Sequence, residues 1–256
     1  MSLYNISALF RAECFKMKYN KGILLIFLFP IVITAITASY IIYKSKDILE
    51  PILYDPWIGI LGRYLFSIYA FLFPLIIAIS CYSLCETEYK NKSLKQLFTF
   101  PALKSEIFIA KITLLTSLIF FTVLIAYAIF LLSGYLVNYI FPVYNFLDYN
   151  IMQVAAVYFS KIFITALSIA AIQYFLGLAF ENFVIPIGFA SFFTIMSLIA
   201  NKWEYIGYLP YYSFYYAFNS YMTSNEILIT IIELINIGYI FIFISLSYLV
   251  FVTKKV

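Results

Sequence analysis

The chain has 256 residues and a formal net charge of +4, with 65% hydrophobic, 21% aromatic and only 11% charged residues. So little polar surface cannot cover a soluble globule of this size, and the composition points to an integral membrane protein. Histidine is absent, which excludes a Ser-His-Asp or Cys-His nucleophile, a histidine-bearing metal site and an imidazole proton relay.

Residues 2–20 predict a surface helix, because Leu3, Ile6, Phe10, Cys14 and Met17 recur at helical spacing with Arg11, Lys16 and Lys18 off that stripe. The same pattern also fits an ordinary positively charged flank. The apolar run that follows is longer than the core of a secretory leader and has no small-x-small cleavage site after it, so it is expected to be retained.

Uncharged runs at 22–43, 64–85, 112–147, 162–180, 182–201 and 234–253 each approach or exceed the roughly 20 residues that cross a bilayer core. They predict six spans, at about 22–43, 64–85, 107–137, 159–180, 183–201 and 227–252. Gly134, Asn138 and Pro142 are expected to break the third run into a helix and an aromatic loop. Residues 205–225 are uncharged but rich in tyrosine, serine and asparagine, which predicts interfacial helices that do not cross. Pro30, Pro74 and Pro186 fall inside predicted spans, as hinges or as static kinks.

Eleven of the sixteen basic residues fall on one side of this topology: Arg11, Lys16, Lys18, Lys21, Lys90, Lys92, Lys95, Lys104, Lys111, Lys254 and Lys255. Lys44, Lys46, Arg63, Lys161 and Lys202 fall on the other. The positive-inside bias then places both termini in the cytoplasm, and the net charge is a signature of membrane insertion rather than of nucleic-acid binding.

Three cysteines form no disulfide framework. Cys81 and Cys85 lie one helical turn apart, but with no histidine to complete a metal site they read as packing residues. Glu86 and Glu88 are two residues apart and so do not face each other on a helix, which argues against a paired acid and base. No residue is assigned a catalytic role and no metal is expected. A phosphate-binding G-x-x-x-x-G-K-[ST] loop is absent, so any ATP must be bound by another polypeptide.

That polypeptide needs a cytoplasmic handle, and residues 85–111 hold eight of the 28 charged residues. Within them, Ser93 is a plausible N-cap for a short helix ending before Pro101, with Leu94, Leu97 and Phe98 on one face and Lys95, Gln96 and Thr99 on the other. Ser105 is expected to cap the next helix, with Glu106 in its first turn. An apolar face framed by basic residues suits docking of a soluble partner; the alternative is a helix lying on the lipid with its lysines facing water.

The segments E-T-E-Y-K-N-K-S-L-K-Q-L-F-T-F-P and A-L-K-S-E-I-F-I-A-K resemble those of permease subunits of ABC-2 type exporters, particularly bacterial lantibiotic-immunity and drug-efflux members. The resemblance implies an all-α, type V-like membrane fold: an N-terminal surface helix, six spans, a cytoplasmic coupling helix and external interfacial helices. It also implies a bacterial cytoplasmic-membrane location, a second permease copy or paralogue, surrounding lipid, and two ABC ATPase subunits that bind ATP and Mg. Those subunits would grip Glu86, Glu88, Lys92, Ser93, Leu94, Lys95, Leu97 and Phe98. Lys92-Ser93 departs from the Gly-Thr or Asn-Thr of many members, and no substrate can be read from that change.

Intramembrane polar groups suggest a substrate path through Lys161, Gln173, Glu233 and Asn236. The competing reading has Glu233 snorkelling to the outer headgroups, and a Lys161–Glu233 pair is a further expectation. The functional expectation is ATP-driven export of an amphipathic antimicrobial peptide, drug or lipid-like molecule. A self-contained secondary transporter or channel is the alternative, although residues 1–128 and 129–256 show no repeat. A lipid-modifying enzyme would need a clustered nucleophile or carboxylate site that the chain lacks.

Overall fold

A computed structural model describes residues 3–18, 20–44, 55–90, 103–180, 182–200, 202–223 and 227–253. Regular structure among them is entirely helical. The helices are α1 (Leu3–Met17), α2 (Lys21–Lys44), α3 (Arg63–Lys90), α4 (Lys104–Ile140), α5 (Met152–Ala179), α6 (Val184–Ile199), α7 (Ser213–Met222) and α8 (Ile231–Thr253). A π-helical turn, Trp57–Gly62, leads into α3.

Among the described residues, five helices are long and apolar enough to span: α2, α3 with its π-helical turn, α4, α5 and α8. The predicted fifth span is realised as α6, whose 16 residues cover about 24 Å at 1.5 Å per residue. That is shorter than a hydrocarbon core of roughly 30 Å. Pro186 lies in its first turn, where helix N–H groups have no intrahelical partner, so it is not a mid-helix hinge. Pro30 and Pro74 do lie inside α2 and α3.

The third helix is longer than its uncharged run. α4 has 37 residues and begins at Lys104, with Leu103 rather than Ser105 at the N-cap. The Glu106 carboxylate turns back to accept the Leu103 N–H at 3.3 Å, the acidic half of a capping box. Gly134 does not break α4 either. A Cβ there would sit 2.3 Å from Trp57 Cη2, so the glycine makes room for the indole. The helix ends at Ile140, and the reversal uses Asn145 in the left-handed region at φ 51°. Asn138, inside α4, accepts the Phe146 N–H at 2.9 Å.

α5 is the centre of the bundle, buried along most of its length and packed chiefly on α8 and α3. Ala155, Ala166, Ala170 and Gly177 on α5 are fully buried or nearly so and let neighbouring helices approach closely. A Cβ on Gly177 would lie 3.0 Å from Cys85 Sγ, and Cys81 Sγ lies 3.7 Å from the Ala170 carbonyl. Both thiols are therefore packing groups on the α3–α5 interface.

α1 packs along the N-terminal part of α4, with Ile6, Leu9 and Phe10 half-buried and Met17 buried. Cys14, expected on the buried stripe, is exposed, and Glu13 takes the inward position instead. The physical reason is a counter-charge from α4, described below.

Residues 202–223 do not cross the bundle but re-enter it. Two 3-10 turns, Glu204–Tyr208 and Pro210–Tyr212, lead into α7, and Tyr211, Phe214, Ala217 and Tyr221 are buried. The composition had suggested an interfacial belt. Trp203, Tyr205 and Tyr208 keep that exposed character, while the inward face packs between α3, α5 and α8.

Candidate functional site

A buried polar seam joins α5, α7 and α8. Lys161 on α5 is fully buried, and its Nζ donates to Ser220 Oγ of α7 at 3.0 Å. The same ammonium lies 3.9 Å from Glu233 Oε1 of α8 and 5.6 Å from the centre of the Tyr216 ring. Glu233 Oε2 accepts the Thr230 N–H at 2.7 Å and also the Thr230 hydroxyl. Thr230 and Glu233 thus cap the start of α8. The carboxylate is 2% exposed and faces the bundle, so it does not snorkel to the headgroups.

One turn deeper, Asn236 bridges the same three elements. Its Nδ2 donates to Ser213 Oγ of α7 at 2.8 Å, and its Oδ1 accepts from Ser168 Oγ of α5 at 2.7 Å. Gln173 Nε2 donates to the Tyr211 hydroxyl at 2.6 Å. The four residues singled out in the sequence therefore lie along one seam that holds the re-entrant segment between α5 and α8. An open depression of about 600 Å³, lined by Tyr216, Thr230 and the isoleucines around them, borders it.

At the C-terminal end of α7, the Tyr221 hydroxyl donates to the Trp57 carbonyl at 3.0 Å. Trp57 Nε1 in turn donates to the Phe146 carbonyl at 2.8 Å. The π-helical turn presents this carbonyl, a widened geometry that recurs at functional positions. Nothing in the sequence singled out Trp57 or Tyr221.

The opposite end carries a second charged centre, which the sequence reading also missed. Glu13 on α1 accepts from Lys111 Nζ on α4 at 3.0 Å and from Lys16 at 2.6 Å. Glu13 and Lys111 are 4% and 7% exposed. Burial by itself would raise the Glu13 pKa, but the two ammonium groups outweigh it and hold the carboxyl below its ordinary range. The available signal was helical phase: Glu13 lies in register with Ile6, Phe10 and Met17. Nearby, Lys104 Nζ donates to the Val252 carbonyl of α8 at 2.9 Å, and Asn20 Nδ2 donates to the Ser83 carbonyl at 3.0 Å.

The expected docking residues are only partly in view. Glu86 is half-buried near the C-terminal end of α3, and Glu88 continues that helix. Lys92, Ser93, Leu94, Lys95, Leu97 and Phe98 lie outside the described residues. In sequence, residues 91–102 connect α3 to α4.

A search of curated proteins finds no match. A family model described as ABC-2 family transporter protein matches residues 9–197, from α1 through most of α6 and well over half of the 256 residues. The re-entrant segment and α8 lie beyond the matched residues. The chain belongs to the ABC-2 transporter family and is a multi-pass membrane component of an ABC transporter.

Proposed function

We propose that this chain is the permease subunit of an ATP-driven exporter that moves an amphipathic antimicrobial peptide, drug or lipid-like molecule out of the membrane or cytoplasm. The carrying observation is its family membership in a sequence without a phosphate-binding loop, so that ATP and Mg belong to separate ATPase subunits. In this reading those subunits dock on segment 93–100 through Leu94, Leu97 and Phe98, framed by Lys92, Ser93 and Lys95 and approached by Glu86 and Glu88. Both termini and this segment face the cytoplasm of a bacterial inner membrane. A second permease copy or paralogue completes the translocation path. Lys161, Gln173, Glu233 and Asn236 hold the re-entrant segment at the outer exit, where its aromatic faces suit an amphipathic molecule.

The test is flux into inside-out vesicles carrying the permease and its co-expressed ATPase, with a fluorescent cationic amphipathic peptide as probe. Accumulation in the lumen that requires hydrolysable ATP is the expected result. Accumulation driven by an ion gradient in vesicles without the ATPase would replace this reading with a secondary transporter.

A further inference from the structure

We infer that the groove between α4 and α5 is a binding site for one acyl chain of a membrane phospholipid, and that the bound chain supports segment 227–230 at the start of α8. The inference requires only that α4 and α5 span the bilayer, not that an ATPase docks.

The sequence builds this groove by placing small residues where two helices would otherwise meet. α4 and α5 touch through two aromatic pairs: Phe120 with Phe163, ring centres 5.8 Å apart, and Tyr127 with Phe159 at 5.5 Å. Beside those contacts α5 offers only Ala156 and Ser160, one turn apart and both exposed. With Val123 and Leu124 of α4 they line a groove of about 300 Å³, to which Ile164 and Leu228 also contribute.

Its walls present hydrocarbon. Among the lining residues only Tyr127 and Ser160 carry side-chain oxygens, and both donate their protons within the protein. The Tyr127 hydroxyl reaches the Met152 carbonyl at 3.4 Å, and Ser160 reaches the Ala156 carbonyl at 2.8 Å. A ligand with polar groups would give up hydration here for little in return. Dispersion contact with rings and branched side chains is what the groove offers, and a hydrocarbon chain uses all of it.

Depth determines what covers the groove. Tyr135 and Tyr139 are 44% and 86% exposed on α4, as tyrosines at a membrane interface are. Tyr127 lies 8 positions before Tyr135, and Phe120 lies 19 before Tyr139, which is about 12–28 Å along a helix at 1.5 Å per residue. The groove therefore sits inside a hydrocarbon core of roughly 30 Å. It is continuous with the lipid-facing surface of a spanning helix, where Phe120, Phe121 and Leu124 are 48%, 52% and 51% exposed. An empty groove would forfeit contacts along every wall, and the material at hand to fill it is a lipid tail.

Leu228 gives the site a consequence for the fold. Residues 227–230 belong to no helix and separate two hollows. Leu228 lines this groove, whereas Ile227, Ile229 and Thr230 line the depression beside Tyr216, the alternation of an extended chain. Thr230 donates twice to Glu233, so a chain packed under Leu228 also steadies the first turn of α8.

The experiment uses the full-length protein in nanodiscs of phosphatidylethanolamine and phosphatidylglycerol, with a trace of phosphatidylcholine carrying a diazirine at mid-chain. After irradiation, adducts are mapped by peptide mass spectrometry. In the parent, residues 120–127 and 156–164 take several-fold more label than two equally exposed reference faces, Val32 with Ile36 on α2 and Ile242 with Leu249 on α8. Ser160→Phe fills the groove and lowers its label to the reference level, and Ser160→Leu does so if the larger residue prevents folding. Groove label no greater than the reference in the parent overturns the inference, and that ratio decides alone if neither variant folds. Groove label that survives the substitution in a folded variant also overturns it. So does label below the reference together with cross-linking of one chain to another, which assigns the groove to a second copy. Displacement of the label by excess cationic amphipathic peptide would assign the groove to substrate and overturn the lipid site alone.

Discussion

Glu13–Lys111 and Lys161–Glu233 are both buried lysine–glutamate pairs that join helices distant in sequence, but they are satisfied differently. Between α1 and α4 the charges meet directly at 3.0 Å, with Lys16 as a second cation 38% exposed at its side chain. In the bundle the charges stand 3.9 Å apart, and each takes its close hydrogen bonds from neutral groups: Ser220 for Lys161, and Thr230 for Glu233. Coulomb attraction alone rarely repays the desolvation of two ions in a low-dielectric interior. The deep pair accordingly sits in a network of hydroxyls and amides, whereas the shallower one relies on charge, and only the deep seam holds three elements together.

Lys161→Met tests that contrast most severely. It leaves Glu233 buried without its counter-charge and should cost roughly 3–5 kcal/mol, seen as a large loss of thermal stability in detergent. Adding Glu233→Gln should recover part of the loss, and additive losses would show that the pair is not coupled. Asn236→Leu keeps both charges but strands the Ser213 hydroxyl, and should cost about 1–3 kcal/mol. A smaller effect would mean that the neutral network contributes little.

The Glu13–Lys111 pair should reveal itself through pH. The two neighbouring ammonium groups hold the Glu13 carboxyl below its ordinary range in the folded protein, so its stabilisation is fully present above the ordinary carboxylate range and is lost as pH falls through the depressed folded pKa. The stability gap between the parent and Glu13→Gln should therefore be constant near neutrality and close in acid; a gap that widens in acid would contradict the assignment. Lys16→Met should have the smallest effect, about 0–1 kcal/mol, since its partially exposed ammonium is screened by water.

The sequence made the long helices visible because uninterrupted apolar runs of spanning length have few other uses, and it misplaced their ends wherever a charge was paired inside a helix. α5 was expected from 159 but begins at Met152, and Lys161 lies fully buried within it. α4 likewise was expected to span from 107 but begins at Lys104, and Lys111 within it is paired with Glu13. Lys161, Gln173, Glu233 and Asn236 were legible because polar groups at membrane depth are costly and thus few. Glu13 was not, because its counter-charge is 98 positions away. The tyrosine-rich composition of 205–225 indicated a preference for the interface but carried no depth. Depth is set by long-range bonds such as Gln173 to Tyr211 and Asn236 to Ser213.

The most direct test of the account is co-purification from native membranes in mild detergent, comparing the parent with Leu97→Asp plus Phe98→Asp and identifying bound proteins by mass spectrometry. The account predicts that the parent retains an ATPase and that the double variant, still folded, loses it. A parent that carries no ATPase, or a folded double variant that keeps one, would contradict the claim that segment 93–100 couples this permease to its source of energy.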